Sequence, residues 1–349
     1  MVSISELNHF EHVQDILAQP EAVGRTVAAL QKARPPEPFP ADLASGRFRR
    51  VVLTGMGASF HALYPLHLSL IAHGAPSLVV ETSELIHYQT RLLSPDSLVI
   101  AVSQSGRSAE VLRLIEAAAG KLPLIAVSNS PDSPLAKEST FAVLTEAGRE
   151  SSVSTKTYVA TLAALEWLGT ALFGLDPTPR LAAVASAVPA MREYLARWED
   201  HVRFLVDWLA PVRHIFLAGR GPSLASACEG GLLLKEAAHF PAEGMGCAEF
   251  RHGPLDMAAD GILVCVFAGE PRTAALNRRL AQDVDAAGGM SAWIGPDSAL
   301  IPFRIPEVSP EARPLLEILP VQMISLALSA RAGREPGRFA RLGKVTVVE

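Results

Sequence analysis

Cysteine is scarce in this 349-residue chain. The three present, Cys228, Cys247 and Cys265, are odd in number and lack metal-type spacing. That argues against a disulfide framework and fits a reducing compartment. Basic excess is missing as well: the net charge is −5 and no basic block occurs, so no general nucleic-acid or acidic-membrane surface is expected. No run of about 18 or more uncharged apolar residues suggests a membrane span. No positively charged, apolar, small-residue leader opens the sequence. What the chain does have is apolar mass. Hydrophobic residues make up 49% and charged residues 19%, ample material for buried cores. At this length two domains are the starting expectation. These traits predict a soluble cytoplasmic α/β protein, with no nucleic acid and no membrane among its partners.

Apolar runs of strand length alternate with segments of helical period. Residues 50–54, 78–81, 97–102, 122–127 and 141–145 read as strands, and a second series follows at 214–218, 262–267 and 290–294. Such alternation implies parallel sheets covered by helices on both faces. Residues 1–34 read as amphipathic helix, and Pro35 to Pro40 as a stiff connector. Residues 180–209 read as one or two linking helices, and Pro241 to Leu255 as a loop dense in glycine and titratable groups. Gly219, Gly221 and Ser223 repeat Gly55, Gly57 and Ser59 at a constant offset, and the strands after them recur too. The predicted fold is α/β: two doubly wound, flavodoxin-like parallel-sheet subdomains related by internal duplication. Its expected divisions are a helical leader (1–40), a first domain (41–176), linking helices (177–210), a second domain (211–335) and a C-terminal tail (336–349).

The stretch Ser103-Gln104-Ser105-Gly106-Arg107-Ser108 falls where an apolar strand gives way to a helix. Free N–H groups and the helix dipole favour an anion there, and hydroxyls donate to it without adding charge. A cluster of N-cap residues is the plain alternative. Ser59 adds a hydroxyl at another helix start. Phe60 follows it where a dinucleotide fingerprint needs a third glycine, which argues against a nicotinamide site. In the second copy, Ala268-Gly269-Glu270-Pro271 replaces the hydroxyls, and an acid repels phosphate. The first half is therefore expected to hold a phosphate and the second to supply chemistry.

Glu229 and Glu236 lie seven residues apart on an apolar helix, on nearly one face. Burial raises a carboxylate's pKa toward the range useful for moving protons. Structural pairing of Glu236 with Lys235 or Arg251 is the alternative. His252, in a turn before Gly253-Pro254, suits acid–base work near neutral pH, or is a plain surface histidine. No second histidine or cysteine has ligand spacing, so no metal is expected. Glu150 to Lys156 gathers hydroxyls, Ser154 among them, at another helix start, as a cap or a ligand contact. Lys344 sits in a short basic tail that either closes over an anion or frays.

Together, Gly55 to Ser59, Ser103 to Ser108, Ser154-Thr155-Lys156, Glu229 to Glu236, Arg251 to Pro254 and Arg341 to Thr346 resemble the tandem sugar isomerase (SIS) domain family. More closely, they resemble the isomerase half of glucosamine-6-phosphate synthase, over nearly the whole chain. The resemblance implies a hexose 6-phosphate or amino-sugar phosphate bound through Ser59, Ser103, Gln104, Ser105 and Ser108, with Ser154 contacting the sugar. It implies that Glu236 moves a proton between C1 and C2, that His252 opens the ring from the other subunit of a homodimer, and that Lys344 assists at the open-chain carbonyl. No cofactor and no metal are implied.

Three departures narrow the expectation. The synthase's glutaminase half is not matched and no N-terminal cysteine nucleophile is present, so ammonia release from glutamine by that route is not expected. Leu233 stands where the synthase has a lysine three residues before the glutamate, which bears on amine handling. Arg107 and Ser108 replace a Glu-Thr pair, with Arg107 either favouring extra negative charge or facing solvent. These features point to a phosphosugar isomerase of the aminosugar-phosphate deaminase/isomerase or deglycase type. A non-catalytic sugar-phosphate sensor and a simple aldose–ketose isomerase are the alternatives.

Overall fold

The computed structural model describes residues 2–118, 120–341 and 343–346. Among them the strands form two parallel sheets. The first contains β1 (Arg50–Gly55), β2 (Ser77–Glu81), β3 (Ser97–Val102), β4 (Leu124–Ser128) and β5 (Phe141–Leu144), in the order β2-β1-β3-β4-β5. The second contains β6 (His214–Gly219), β7 (Ala242–Gly246), β8 (Ile262–Phe267) and β9 (Met290–Ile294), in the order β7-β6-β8-β9. The two-sheet α/β architecture is the predicted one. β3 and β4 are buried along their whole length, as central strands covered on both faces must be. Val52, Val99, Ala101, Leu114 and Leu124 pack one core, and Phe216, Phe250, Val264, Val266 and Leu280 the other. Each large side chain so buried contributes about 1.5–3 kcal/mol.

Strand order reverses between β1 and β3 in the first sheet and between β6 and β8 in the second. Those edges are the switch points where ligands bind in such sheets. The register sets Gly55 opposite Val102, so the turns after β1 and β3 leave the first sheet side by side.

β7 lies in the stretch Pro241 to Leu255, where the sequence predicts a loop. Ala242–Gly246 pairs in parallel with β6, and Cys247–Arg251 forms a short helix. The strand lacks β-branched residues because the helix Ser223–Ala238 crosses too near to admit them. A Cβ on Gly244 would strike the Ala227 carbonyl, and one on Gly231 would strike the β7 backbone. Backbone pairing, not side-chain pattern, makes this strand. The linking stretch holds three helices, Thr178–Ala185, Ala187–Leu195 and Trp198–Trp208, rather than one or two. Pro189 accounts for the first break, since it tolerates a first helical turn and not an interior.

The chain folds as two compact units that alternate along the sequence. The five-stranded unit comprises Glu21–Glu150, Lys156–Ala185 and the described tail residues 343–346. The four-stranded unit comprises residues 2–20, Ser151–Thr155 and Ser186–Arg341. In the latter, Arg313–Ala332 is long and apolar enough to cross a membrane by length and composition, but 89% of that window is buried. It is the core helix of its unit, packed on Ser223–Ala238. The three cysteines are free, and burial pushes Cys228 and Cys247 up to about 11 and Cys265 up to about 12. None is a ready nucleophile.

Candidate active site

In the five-stranded unit, β3 delivers Ser103 to the switch point. Its N–H is tied to the Val127 carbonyl (3.0 Å), and its Oγ accepts the Gly106 N–H (3.1 Å). Ser105 Oγ accepts the Arg107 N–H (3.3 Å), and the Gln104 carbonyl accepts from Asn129 N–H and the Ser128 hydroxyl. The loop is thus fixed by its own hydroxyls and by β4. Gln104, Ser105 and Ser108 are half-buried at the helix start, as is Ser59 after the neighbouring turn. The structure brings these five predicted anchors to one sheet edge. Arg107 is directed elsewhere: it is exposed, and its guanidinium donates to the Asp132 carbonyl (2.9 Å).

The C-terminal tail returns to this unit. The Ala109 N–H, at the first turn after the serine loop, donates to the Thr346 carbonyl (3.2 Å). Lys344 Nζ lies 3.1 Å from Glu150 Oε2, with the lysine side chain 25% exposed and the glutamate 1%. Thr157 holds that carboxylate through its N–H (3.0 Å) and hydroxyl (2.6 Å). Glu150 was not singled out from the sequence. The available signal was an acid opening a hydroxyl-rich stretch just before a helix, where a carboxylate meets orphan N–H groups.

The remaining predicted residues belong to the four-stranded unit. Ser154 lies half-buried in the segment Ser151–Thr155. Glu236 is half-buried, near the end of Ser223–Ala238, where His239 closes the helix in the left-handed region (φ 51°). Its helix-mate Glu229 is the buried one, at 1% exposure. Leu233 is core, also at 1%. Arg251 is not paired with Glu236: it meets Asp283 at 2.5 Å, and that contact holds the Asp283 carboxyl below its usual range. His252 is exposed, following the helix Cys247–Arg251 and preceding Gly253. Among the described residues no group of three or more His, Cys, Asp or Glu could hold a metal ion.

The second switch point is built differently. Ser223, the repeat partner of Ser59, donates to Glu317 Oε1 (2.8 Å), and Arg220 donates to the buried Asn277 (2.9 Å). Arg313 donates to the Gly269 carbonyl. Glu317 is fully buried, its Oε2 has no hydrogen-bond partner, and burial pushes its carboxyl up to about 7 despite Ser223 and Arg313.

The SIS domain family model matches residues 47–171 and 208–328, well over half of the chain. The chain belongs to the SIS domain family. It is 30% identical to a glutamine–fructose-6-phosphate aminotransferase (isomerizing) of Pyrococcus horikoshii, across 100% of this chain and 60% of that protein. It is 31% identical to the Leifsonia xyli enzyme of that name, across 78% of this chain and 47% of the other. The chain thus spans about half to three-fifths of the length of these relatives. Two solved structures share the fold at lower identity. One is the C-terminal domain of glucosamine-fructose-6-phosphate aminotransferase from Francisella tularensis, with TM-score 0.81, 21% identity, and 95% and 98% of the two chains covered. The other is glucosamine-6-phosphate deaminase from Thermotoga maritima, with TM-score 0.79, 19% identity, and 97% and 100% covered. Both SIS segments lie on the sheets described above, one on each.

Proposed function

We propose that this chain is a phosphosugar isomerase acting on an amino-sugar or glycated-amine hexose 6-phosphate, by deaminase/isomerase or deglycase chemistry. The observation that carries this reading is the serine loop at the β3 edge, with the tail docked on its helix and Lys344 held by a buried carboxylate in the same unit. A rigid set of hydroxyls and N–H groups at a helix start suits a phosphate. In this proposal Ser59, Ser103, Gln104, Ser105 and Ser108 anchor the 6-phosphate and Ser154 contacts the sugar. Lys344, oriented by Glu150, assists at the open-chain carbonyl.

Glu236 is the base. It takes the C2 proton of the open-chain 2-amino aldose and returns a proton at C1, giving a ketimine whose hydrolysis releases ammonia and leaves the ketose. Half-burial leaves Glu236 accessible to a substrate, which suits that duty. His252 opens the ring, delivered by a second copy of the chain; its exposure in the single chain supports that part of the proposal.

Glu236→Gln tests the reading. Ammonia release from glucosamine 6-phosphate should fall by roughly 10²- to 10⁴-fold, while calorimetric binding of fructose 6-phosphate persists. Normal turnover by the variant overturns the assignment of the base. Binding by the wild-type chain without product from either sugar favours a sensor instead.

A further inference from the structure

Within the four-stranded unit, three stretches distant in sequence meet at Ser152. Its Oγ lies 3.2 Å from His12 Nδ1 and donates to the Gly337 carbonyl (3.0 Å). The N–H groups of Ser151 and Ser152 both reach Asp15 Oδ2, at 2.9 and 3.4 Å. Gly337 in turn donates its N–H to the Ala237 carbonyl (3.0 Å), which also takes the Ser329 hydroxyl (3.3 Å). His12, Asp15 and Ser152 are 1%, 6% and 6% exposed. The packing leaves no slack. Gly337 has φ +72°, and a Cβ there would strike Ser152 Oγ and lie 2.7 Å from His12 Cγ. Only glycine fits the position.

Two stretches of this knot adjoin residues of the proposed chemistry. Ser152 is two residues before Ser154, and Ala237 directly follows Glu236. A single buried hydroxyl therefore couples the sugar-contact segment to the end of the helix bearing the base, with the leader helix Glu11–Leu17 as its backing. We propose that Ser152, with Asp15 and Gly337, is a positioning hub that fixes the Ser154 segment against the end of the Glu236 helix. The inference rests on the roles proposed above for Ser154 and Glu236. Removing the hydroxyl deprives the Gly337 carbonyl of its donor, a loss comparable to one buried hydrogen bond. Displacing a reacting group by about 1 Å costs on the order of 10²-fold in rate.

Ser152→Ala, made in the full chain, tests the hub by two independent readouts. The first is hydrogen exchange. In Ser152→Ala the amides of residues 151–155 and of Gly337 should exchange together, about tenfold faster, with β3 amides unchanged. Unchanged exchange at either segment overturns the hub. The second is turnover of glucosamine 6-phosphate. kcat should fall about 10²-fold in Ser152→Ala, while inhibition by inorganic phosphate, which reads the serine loop, stays at the wild-type value. A loss of phosphate inhibition in step with kcat would mark general damage and overturn the positioning role. If Ser152→Ala melts below the assay temperature, Asp15→Asn loosens the same segment through a weaker acceptor and should show the same pattern at smaller size. A wild-type chain that turns over no phosphosugar sinks the proposed function instead, and the exchange comparison alone then decides the hub.

Discussion

At the edge of the five-stranded sheet, β1 and β3 run out into the Ser59 turn and the loop Ser103 to Ser108. At the edge of the four-stranded sheet, β6 and β8 run out into the Ser223 turn and Ala268-Gly269-Glu270. The frames match, with glycine-rich turns after corresponding strands and serine in the same place in each. Their contents do not. The first edge keeps half-buried hydroxyls facing a helix start. At the second, Ser223 is spent on the carboxyl of Glu317, Asn277 and Arg313 occupy the backbone carbonyls around it, and Arg220 braces the Asn277 side chain. A switch point is therefore a place where a ligand fits, and the side chains that follow the strand decide whether a ligand or the protein's own groups fill it.

The sharpest way to break the difference is to give the first edge the acid that marks the second. Ser105→Glu should weaken fructose 6-phosphate binding about 10³-fold by calorimetry, the factor set by about 4 kcal/mol of repulsion between charges near a protein surface. Undiminished binding would show that the phosphate lies elsewhere.

The second edge has its own signature in pH. Burial pushes the Glu317 carboxyl from its ordinary value near 4.5 up to about 7. The neutral acid is the form the fold accepts. Its contribution to stability is full below about 4.5 and is lost as pH rises through about 7, a change of about 3 kcal/mol. Glu317→Gln should remove that part of the pH dependence and melt higher than wild type at pH 8, with the advantage shrinking toward pH 5 in thermal melts. An identical pH profile for the two proteins would show that Glu317 is ionised in the fold.

The smallest effect expected is at Arg107. Its exposed guanidinium braces the Asp132 carbonyl, so Arg107→Ala should cost less than about 1 kcal/mol in melting experiments and leave fructose 6-phosphate affinity unchanged. A large loss of affinity would place its charge at the phosphate after all.

The duplication was legible because turn glycines and apolar strands are local signals, and the serine loop because strand, hydroxyls and helix follow in order. β7 was not, since its glycines answer to a helix brought near only by folding. Nor was the ordering of the two acids on Ser223–Ala238: a seven-residue spacing puts Glu229 and Glu236 on one face but does not say that the face emerges near the helix end. Glu150 and Glu317 were missed for a related reason. A buried carboxylate is marked by its partners, Lys344 and Ser223, and these lie far away along the chain.

The alternation of the two units along the sequence reaches beyond the site. A gene cut at the repeat boundary would yield two pieces, each missing a part of its own interior. The upstream piece would leave Ala109 without Thr346, and the segment Ser151–Thr155 without the unit that houses it. The downstream piece would leave the buried amide of Gln322 without Gln19, its partner in two hydrogen bonds. A cut between the repeats therefore falls inside both compact units rather than between them.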